Sequence, residues 1–464
     1  MPRILHRYYP LTKVLFILGE GICILCSILL AMFIRFWPGF DVRSINSEDW
    51  LKILLMACVC QVSLYYNDLY DLKVTSNYRE LGLRLTQALG IASIVLAAVY
   101  YAFPPAMLGR GVFLVSIVFI ISLVCSWRYL YSWVLKKRMF LEQLVMLGSG
   151  GLARAIFAEI SGRKDSGYQI AAILDNPATD PGPVFDGVPL LPRFDRLYEE
   201  AVTRSVRQIV VALDERRGKL PLPELLRCRM AGITVVDGVS FYEQLTGKIL
   251  VEKLRPSWLV FSEGFKKSRT TRLTKRLFGI VLSGLGLLIT LPLILLAAIC
   301  IKLDSPGPVL YSQERCGRDG RSFRLYKFRS MACDAEKHCG AVWAKEDDPR
   351  VTRVGKILRK LRVDEIPQMW NVLKGDMSFV GPRPERPEFV RKLSEMIPFY
   401  AERHNVKPGI TGWAQISYPY GATIEDAAEK LKYDLFYIKN MNLFFDLAII
   451  FQTIKIVLLG RGAR

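Results

Sequence analysis

The sequence predicts a membrane-associated protein of mixed α and α/β class. An N-terminal block of four transmembrane helices (residues 1–138) precedes a Rossmann-like α/β domain (139–262). A basic linker (263–276) and a re-entrant membrane helix (277–302) then lead into a mainly helical, monotopic domain (303–464). Three observations predict this order. Four apolar stretches of near-spanning length come first; short apolar strands around a glycine-rich turn follow; and a further long apolar run carries a proline at its middle and cations on both flanks. Apolar residues are 51% of the 464, above the soluble average. Net charge is +20, from 63 Lys+Arg against 43 Asp+Glu. Such an excess suits an anionic lipid surface, phosphorylated ligands or nucleic acid. The membrane segments favour the first two, and the chain has neither a Lys/Arg-rich tail nor a nucleic-acid motif.

The four apolar stretches are about Leu11–Ile34, Trp50–Tyr66, Leu85–Phe103 and Gly111–Trp133, each close to the length that crosses a bilayer. The first is too long for a cleaved signal peptide and lacks a small-residue cleavage site after it. Basic residues alternate between sides. Arg3, Arg7 and Lys13 lie on one side and Arg35 and Arg43 on the other. Lys73, Arg79 and Arg84 return to the first, Arg110 lies opposite, and Lys136, Lys137 and Arg138 return again. Both ends of the block are therefore expected at the cytoplasmic face of the inner membrane.

From about Phe140 the pattern becomes α/β. Leu144–Leu147 reads as a buried strand, and Gly148-Ser149-Gly150-Gly151-Leu152-Ala153 opens a helix as G-x-G-x-x-A, with Asp175 closing a second strand, Ile170–Leu174. Further strands are expected at Gln208–Leu213 and Ile233–Val236. Gly148, Gly150 and Ala153 are thus candidate nucleotide-contacting positions. A tight turn that holds no ligand fits the same residues equally well. The ten cysteines read as reduced and structural. Cys333, His338 and Cys339 do not complete a zinc site. With three histidines in the chain, a metal is expected to be held by oxygen, which favours Mg²⁺.

Glu263–Arg276 is the basic linker. Leu277–Ile301 is long enough to span, yet cations on both flanks prefer the cytoplasm. Pro292 favours a kink that deprives the Leu288 carbonyl of its donor; Thr290 and Ser283 carry the nearest hydroxyls. The run is therefore expected to enter the membrane and return. Near the C-terminus, Asp446 and Lys455 make Leu443–Leu459 a packed or interfacial helix rather than a further span.

The chemistry is expected in Gly355–Glu385. Its centre is Asp364-Glu365, followed by Ile-Pro and a helix-forming run, Gln368–Leu373. Pro367 fits a first helical turn, which sets two carboxylates at a helix N-terminus. Lys356, Arg359, Lys360 and Arg362 lie upstream, and Gly381-Pro382-Arg383-Pro384-Glu385 forms a rigid turn bearing a cation. Alone, an Asp-Glu pair is usually just a helix cap. Among these cations it suits attack on phosphorus, or a metal bridging phosphates.

This stretch resembles the bacterial sugar transferases, the monotopic phosphoglycosyl transferases. The resemblance extends over DSPGPVLYSQERCGRDGRSFRLYKFRSM (304–331), DPRVT (348–352), the DE-I-P-Q stretch, Gly375–Glu385 and VKPGITGWAQI (406–416), from about Lys275 to the C-terminus. It implies transfer of a sugar 1-phosphate from a UDP-sugar to undecaprenyl phosphate, giving UMP, as the first membrane step of exopolysaccharide or O-antigen assembly. It further implies Asp364 as nucleophile, Glu365 and Asp364 near Mg²⁺, and Arg359 on phosphate. Arg383, Glu385, Lys327 and Arg329 are the other candidate substrate contacts. Arg362 departs from the small hydroxyl residue of many relatives. The four-helix block and the α/β domain also match the larger members. Self-association and the sugar's identity stay open. Two other enzyme classes fit less well: no tyrosine of the α/β domain has a lysine four residues on, and no Asp-x-Asp occurs. A lipid-gripping scaffold would leave the acidic pair without a role.

Overall fold

The computed structural model describes residues 3–4, 7–8, 11–39, 45–70, 78–109, 111–136, 141–163, 166–175, 185, 187–214, 220–253, 264–332, 348–419, 421 and 423–459. Arg43, Lys73, Arg110, Lys137, Arg138, Glu263, Cys333, His338 and Cys339 lie outside them.

After a short antiparallel strand pair (Arg3–Ile4 with Arg7–Tyr8), four helices follow: α1 (Leu11–Phe36), α2 (Ser47–Tyr66), α3 (Tyr78–Ala102) and α4 (Val112–Lys136). All four are long and apolar enough to cross a membrane. They bury Ile24, Ile28, Ile53, Met56, Leu96 and Ile120 against one another, while Ile22, Leu51, Ile94 and Leu114 face outward. An apolar exterior around an equally apolar core is what a lipid solvent permits. Among the described residues of the block, one ion pair is fully buried. Arg128 Nε donates to Glu20 Oε1 at 2.8 Å and its Nη1 to the Leu69 carbonyl at 2.8 Å. Neither charge was singled out in the sequence, and each satisfies the other where water is scarce.

The α/β domain contains β1 (Glu142–Leu147), α5 (Gly151–Ser161), β2 (Tyr168–Leu174), β3 (Leu190–Leu191), α6 (Leu197–Thr203), β4 (Gln208–Val211), α7 (Leu222–Met230), β5 (Thr234–Asp237) and α8 (Gly238–Thr246). The strands are all parallel in the order β3-β2-β1-β4-β5. α5 and α8 cover one face and α6 and α7 the other. Burial on both faces explains why the strands read as continuous apolar runs.

The predicted linker is helical for most of its length. Ser268 caps α9 (Arg269–Ile289) by accepting from the Thr271 amide, so residues 269–276 form its first turns. A hydroxyl cap and a basic, helix-compatible run suffice for this. The predicted apolar helix is broken into α9 and α10 (Leu291–Asp304), which meet at Thr290 with a bend of 61°. Pro292 lies in the first turn of α10, where it is tolerated. The Thr290 hydroxyl donates to the Gly286 carbonyl at 2.6 Å, whereas Ser283 is buried with no partner among the described residues. Leu285, Leu288, Ile289, Leu295, Leu296 and Ile299 are all exposed.

The C-terminal domain is mainly helical with two small sheets. β6 (Leu310–Cys316) and β7 (Ser322–Phe328) form an antiparallel hairpin. α11 (Arg353–Lys360), a 3₁₀ turn (Val363–Glu365) and α12 (Gln368–Lys374) follow. β8 (Ser378–Val380) pairs in parallel with β9 (Gly409–Thr411). α13 (Pro387–Met396), α14 (Trp413–Ser417), α15 (Ile424–Asn440) and α16 (Leu443–Leu458) complete it. Tyr400, Trp413, Leu435, Phe436 and Phe445 fill the core. Both charges of α16 are paired: Asp446 with Lys275, and Lys455 with Asp68 at 2.6 Å in the four-helix block. The α/β domain joins through Glu243–Lys439 at 2.6 Å and the Trp413 indole, which donates to the Gly247 carbonyl at 2.8 Å.

Candidate active site

The acidic pair sits in the short 3₁₀ turn between α11 and α12, one turn before the helix that the sequence placed beside it. Pro367 stands at the cap of α12 rather than inside it. Arg362 enters the turn with φ of 56°, a left-handed conformation that swings the chain between the helices. Beneath lies a small apolar core: Ala297 and Ile301 of α10, Phe328 of β7, Leu358 of α11 and Val363. The bent apolar helix pair thus supports the turn directly.

Asp364 is 6% and Glu365 8% exposed. Cations surround the pair. Lys327 Nζ, from β7, lies 3.0 Å from Glu365 Oε1 and 3.7 Å from Asp364 Oδ2. Arg383 reaches Glu365 Oε1 at 3.3 Å, and Arg362 reaches its Oε2 at 3.7 Å. Burial opposes the charge of Glu365, yet Lys327, Arg383 and Arg362 hold its pKa far below the usual carboxylate range. For Asp364 burial wins: its pKa is raised, with Glu365 adding to the rise and Lys327, Arg359 and Arg362 resisting it. The two neighbours are thereby set apart. One is a fixed anion, and the other is a carboxylate whose ionisation depends on the cations around it.

Local packing fixes each cation. Asn371, fully buried, accepts from the Tyr326 amide at 3.0 Å and donates to the Arg324 carbonyl at 2.7 Å, which pins α12 to the strand carrying Lys327. Arg359 Nε donates to Ser330 Oγ at 2.8 Å. Gly355 packs its backbone on the Ser330 carbonyl so closely that a Cβ would collide with it. The turn bearing Arg383 is held from below. Arg403, buried and paired with Asp434 at 2.8 Å, donates to the Arg383 carbonyl at 3.0 Å, and Arg315 donates to the Pro384 carbonyl at 3.2 Å. Gly381 crosses Gly409 and Gly412 backbone to backbone, and side chains at 409 or 412 would strike it.

Of the predicted site residues, the structure brings Asp364, Glu365, Lys327, Arg383 and Arg359 together. Glu385 turns its carboxylate to Arg315 at 3.7 Å instead. Arg329 makes hydrogen bonds to backbone instead. It is buried, and its guanidinium donates to the carbonyls of Pro306 and Ser305, both at 2.7 Å, closing the C-terminal end of α10. Helix-end carbonyls draw a guanidinium more readily than an open site does. Asn371, Ser330, Arg315 and Arg403 were not anticipated. Arg315 and Ser330 lie within the quoted 304–331 stretch and Asn371 within Gly355–Glu385, but nothing local gives their partners, and only long-range packing reveals them.

The glycine turn of the α/β domain is already filled. The Ser149 amide donates to Asp175 Oδ2 at 2.8 Å, and the Gly151 amide donates to Asp214 Oδ2 at 3.0 Å. Gly148 has φ of 104° and lies on the Ala212 carbonyl, and a Cβ on Gly150 would strike the Asp214 carboxylate. Ala153 is buried in the core below. The helix terminus that would receive a phosphate receives this chain's own carboxylate.

A buried acidic pair ringed by cations, set on an apolar helix pair with exposed apolar flanks, is an arrangement suited to phosphate-bearing ligands. Comparison with known proteins agrees: residues 270–460 match the bacterial sugar transferase family, and residues 66–220 match a CoA-binding domain. The chain is 46% identical over 240 residues to a UDP-N-acetylgalactosamine-undecaprenyl-phosphate N-acetylgalactosaminephosphotransferase of Aeromonas hydrophila, covering 52% of this chain and 56% of that protein. An undecaprenyl-phosphate glucose phosphotransferase of Komagataeibacter xylinus is 34% identical over 363 residues, covering 76% and 65%. An undecaprenyl-phosphate galactose phosphotransferase of Salmonella typhimurium is 30% identical over 395 residues, covering 80% of each chain. This chain belongs to the bacterial sugar transferase family.

Proposed function

We propose that the protein is a phosphoglycosyl transferase that moves a sugar 1-phosphate from a UDP-sugar to undecaprenyl phosphate, initiating exopolysaccharide or O-antigen assembly. The observation that carries this reading is Asp364, buried beside a Glu365 that already binds three cations. An Asp364 oxygen attacks the sugar-proximal phosphorus, and the bond to the UMP oxygen breaks with its electron pair leaving on UMP. An acyl phosphate on Asp364 results. An oxygen of the polyprenyl phosphate then attacks the same phosphorus, and Asp364 leaves as carboxylate. Lys327, Arg383, Arg362 and Arg359 supply the positive field that phosphoryl transfer demands.

Mg²⁺ is the ion that this reading calls for. Among the described residues no group of three His, Cys, Asp or Glu gathers to cage a metal. Two adjacent carboxylates completed by substrate phosphates and water are what this ion commonly takes. Asp364 and Glu365 would hold it, and it would supply charge neutralisation on the phosphates. The α/β domain is Rossmann-like in strand order, and with its glycine turn filled it serves here as a brace rather than a nucleotide site. The bent α9–α10 pair enters and leaves the cytoplasmic leaflet, which keeps Asp364 on the side where UDP-sugars are found. Incubation with UDP-sugar labelled at the sugar-proximal phosphate should leave label on the chain that hydroxylamine releases. Asp364→Asn should retain none, and full UMP release by that variant would sink the covalent scheme.

A further inference from the structure

A cavity of about 400 Å³ opens between the start of α9, Val372 of α12, the Met377–Val380 stretch and the Asn405–Lys407 segment. None of Asp364, Glu365, Lys327, Arg359, Arg362 or Arg383 lines it. Seven Lys or Arg side chains do, and no Asp or Glu. Lys275 is neutralised by Asp446. Among the described residues Arg318 pairs only with its exposed neighbour Asp319, at 3.4 Å. Among the described residues the others form no ion pair, and backbone carbonyls take their place. Arg276 donates to Val372 and, at 2.7 Å, to Leu373; Lys407 donates to Gly375 at 2.5 Å; Lys267 donates to Lys439 at 2.8 Å. Cations gathered without counter-charge repel one another. Burial first, then Lys275, pulls the Lys267 pKa down to about 8; burial, then Arg276 and Arg318, lowers that of Lys407. A folded chain keeps such a cluster at a cost that a bound anion removes.

The floor of the cavity is apolar, formed by Met377, Val380 and Met441. Its rim lies where α9 passes from the basic turns Arg269–Arg276 to the outward-facing apolar residues Leu277, Val281 and Leu285. That boundary is where a bilayer places its phosphates, and basic pockets beside membrane helices are suited to lipid headgroups. We infer that this cavity binds the phosphate headgroup of an anionic membrane lipid, separately from the acidic pair. A water-soluble phosphate shares the same chemistry but would have no use for the apolar floor or for the position at the membrane boundary. The inference does not rest on the transferase reading.

Native mass spectrometry of the full chain in detergent tests it, with phosphatidylglycerol, phosphatidylcholine and UMP as probes. Phosphatidylglycerol should bind at least about tenfold more tightly than phosphatidylcholine. The variant Arg272→Gln/Arg318→Gln/Lys407→Gln should lose that preference, and Arg193→Gln/Arg196→Gln, on the surface of the α/β domain, should keep it. Should the triple variant not fold, Arg318→Gln/Lys407→Gln is read in the same way, and an unchanged melting temperature certifies it. Equal binding of the two lipids, or an undiminished preference in the cavity variants, overturns the assignment. Displacement of the lipid by millimolar UMP overturns the lipid source and gives the cavity to a soluble phosphate.

Discussion

Lys327→Gln tests the role proposed for Asp364 as nucleophile. Lys327 lies 3.7 Å from Asp364 and 3.0 Å from Glu365. At an effective dielectric of about 20, a unit charge at 3.7 Å is worth about 4–5 kcal/mol to Asp364. Solvent at the partly exposed lysine and the remaining Arg359 and Arg362 cut the net loss to about 1.5–3 kcal/mol. The sign follows from the chemistry. In the proposed scheme Asp364 attacks only as carboxylate; burial already raises its pKa, and removing the cation raises it further. Activity in the variant should therefore fail at a higher pH as acid is added, by about one unit or more at 1.36 kcal/mol per unit. Initial rates of UMP release from pH 5 to 9 read this directly as the acid limb of kcat/KM. Lys327→Arg should return the limb most of the way. A variant whose plateau falls while its acid limb stays in place would refute the reasoning, and Lys327 would then act on substrate alone.

Gly409→Ala should lower kcat about tenfold or more, because the added methyl meets the Gly381 backbone and displaces the turn that presents Arg383; wild-type kcat in a folded variant would contradict this. Arg329→Met should destabilise the C-terminal domain by about 3 kcal/mol through the carbonyls it strands at the end of α10. The KM of whatever protein stays folded should be unchanged, and a raised KM with normal stability would return Arg329 to the substrate site. Single cysteines at Ser268→Cys and Ser322→Cys, in a background without the native cysteines, should both label from the cytoplasmic side; labelling of position 322 only from the periplasm would mean that the bent pair spans.

What could be read from the sequence was what the chain writes locally. The four spans, the apolar strands of the α/β domain and the acidic pair each announce themselves within about twenty residues, through hydropathy, a glycine turn or a motif. What escaped depends on distant partners. Lys327 and Arg329 stand two residues apart and read alike. Alternation alone would set both on one face, but β7 ends at Phe328; Lys327, still in the strand, meets the acidic pair, whereas Arg329, beyond its end, turns to the end of α10. The basic run before the apolar helix read as a linker, because its charge hid a capped helix. The glycine turn fitted a phosphate until Asp214, 63 residues further on, was found occupying it. In each case the residue type was legible and its partner was not. For a cationic site this matters most, since an arginine serves a phosphate or a helix end with the same five donors. Packing decides which, and packing is the level at which Arg403, Arg315 and Asn371 do their part without touching the acidic pair. Specificity between such sites is therefore carried by the scaffold that aims the cations, more than by the cations themselves.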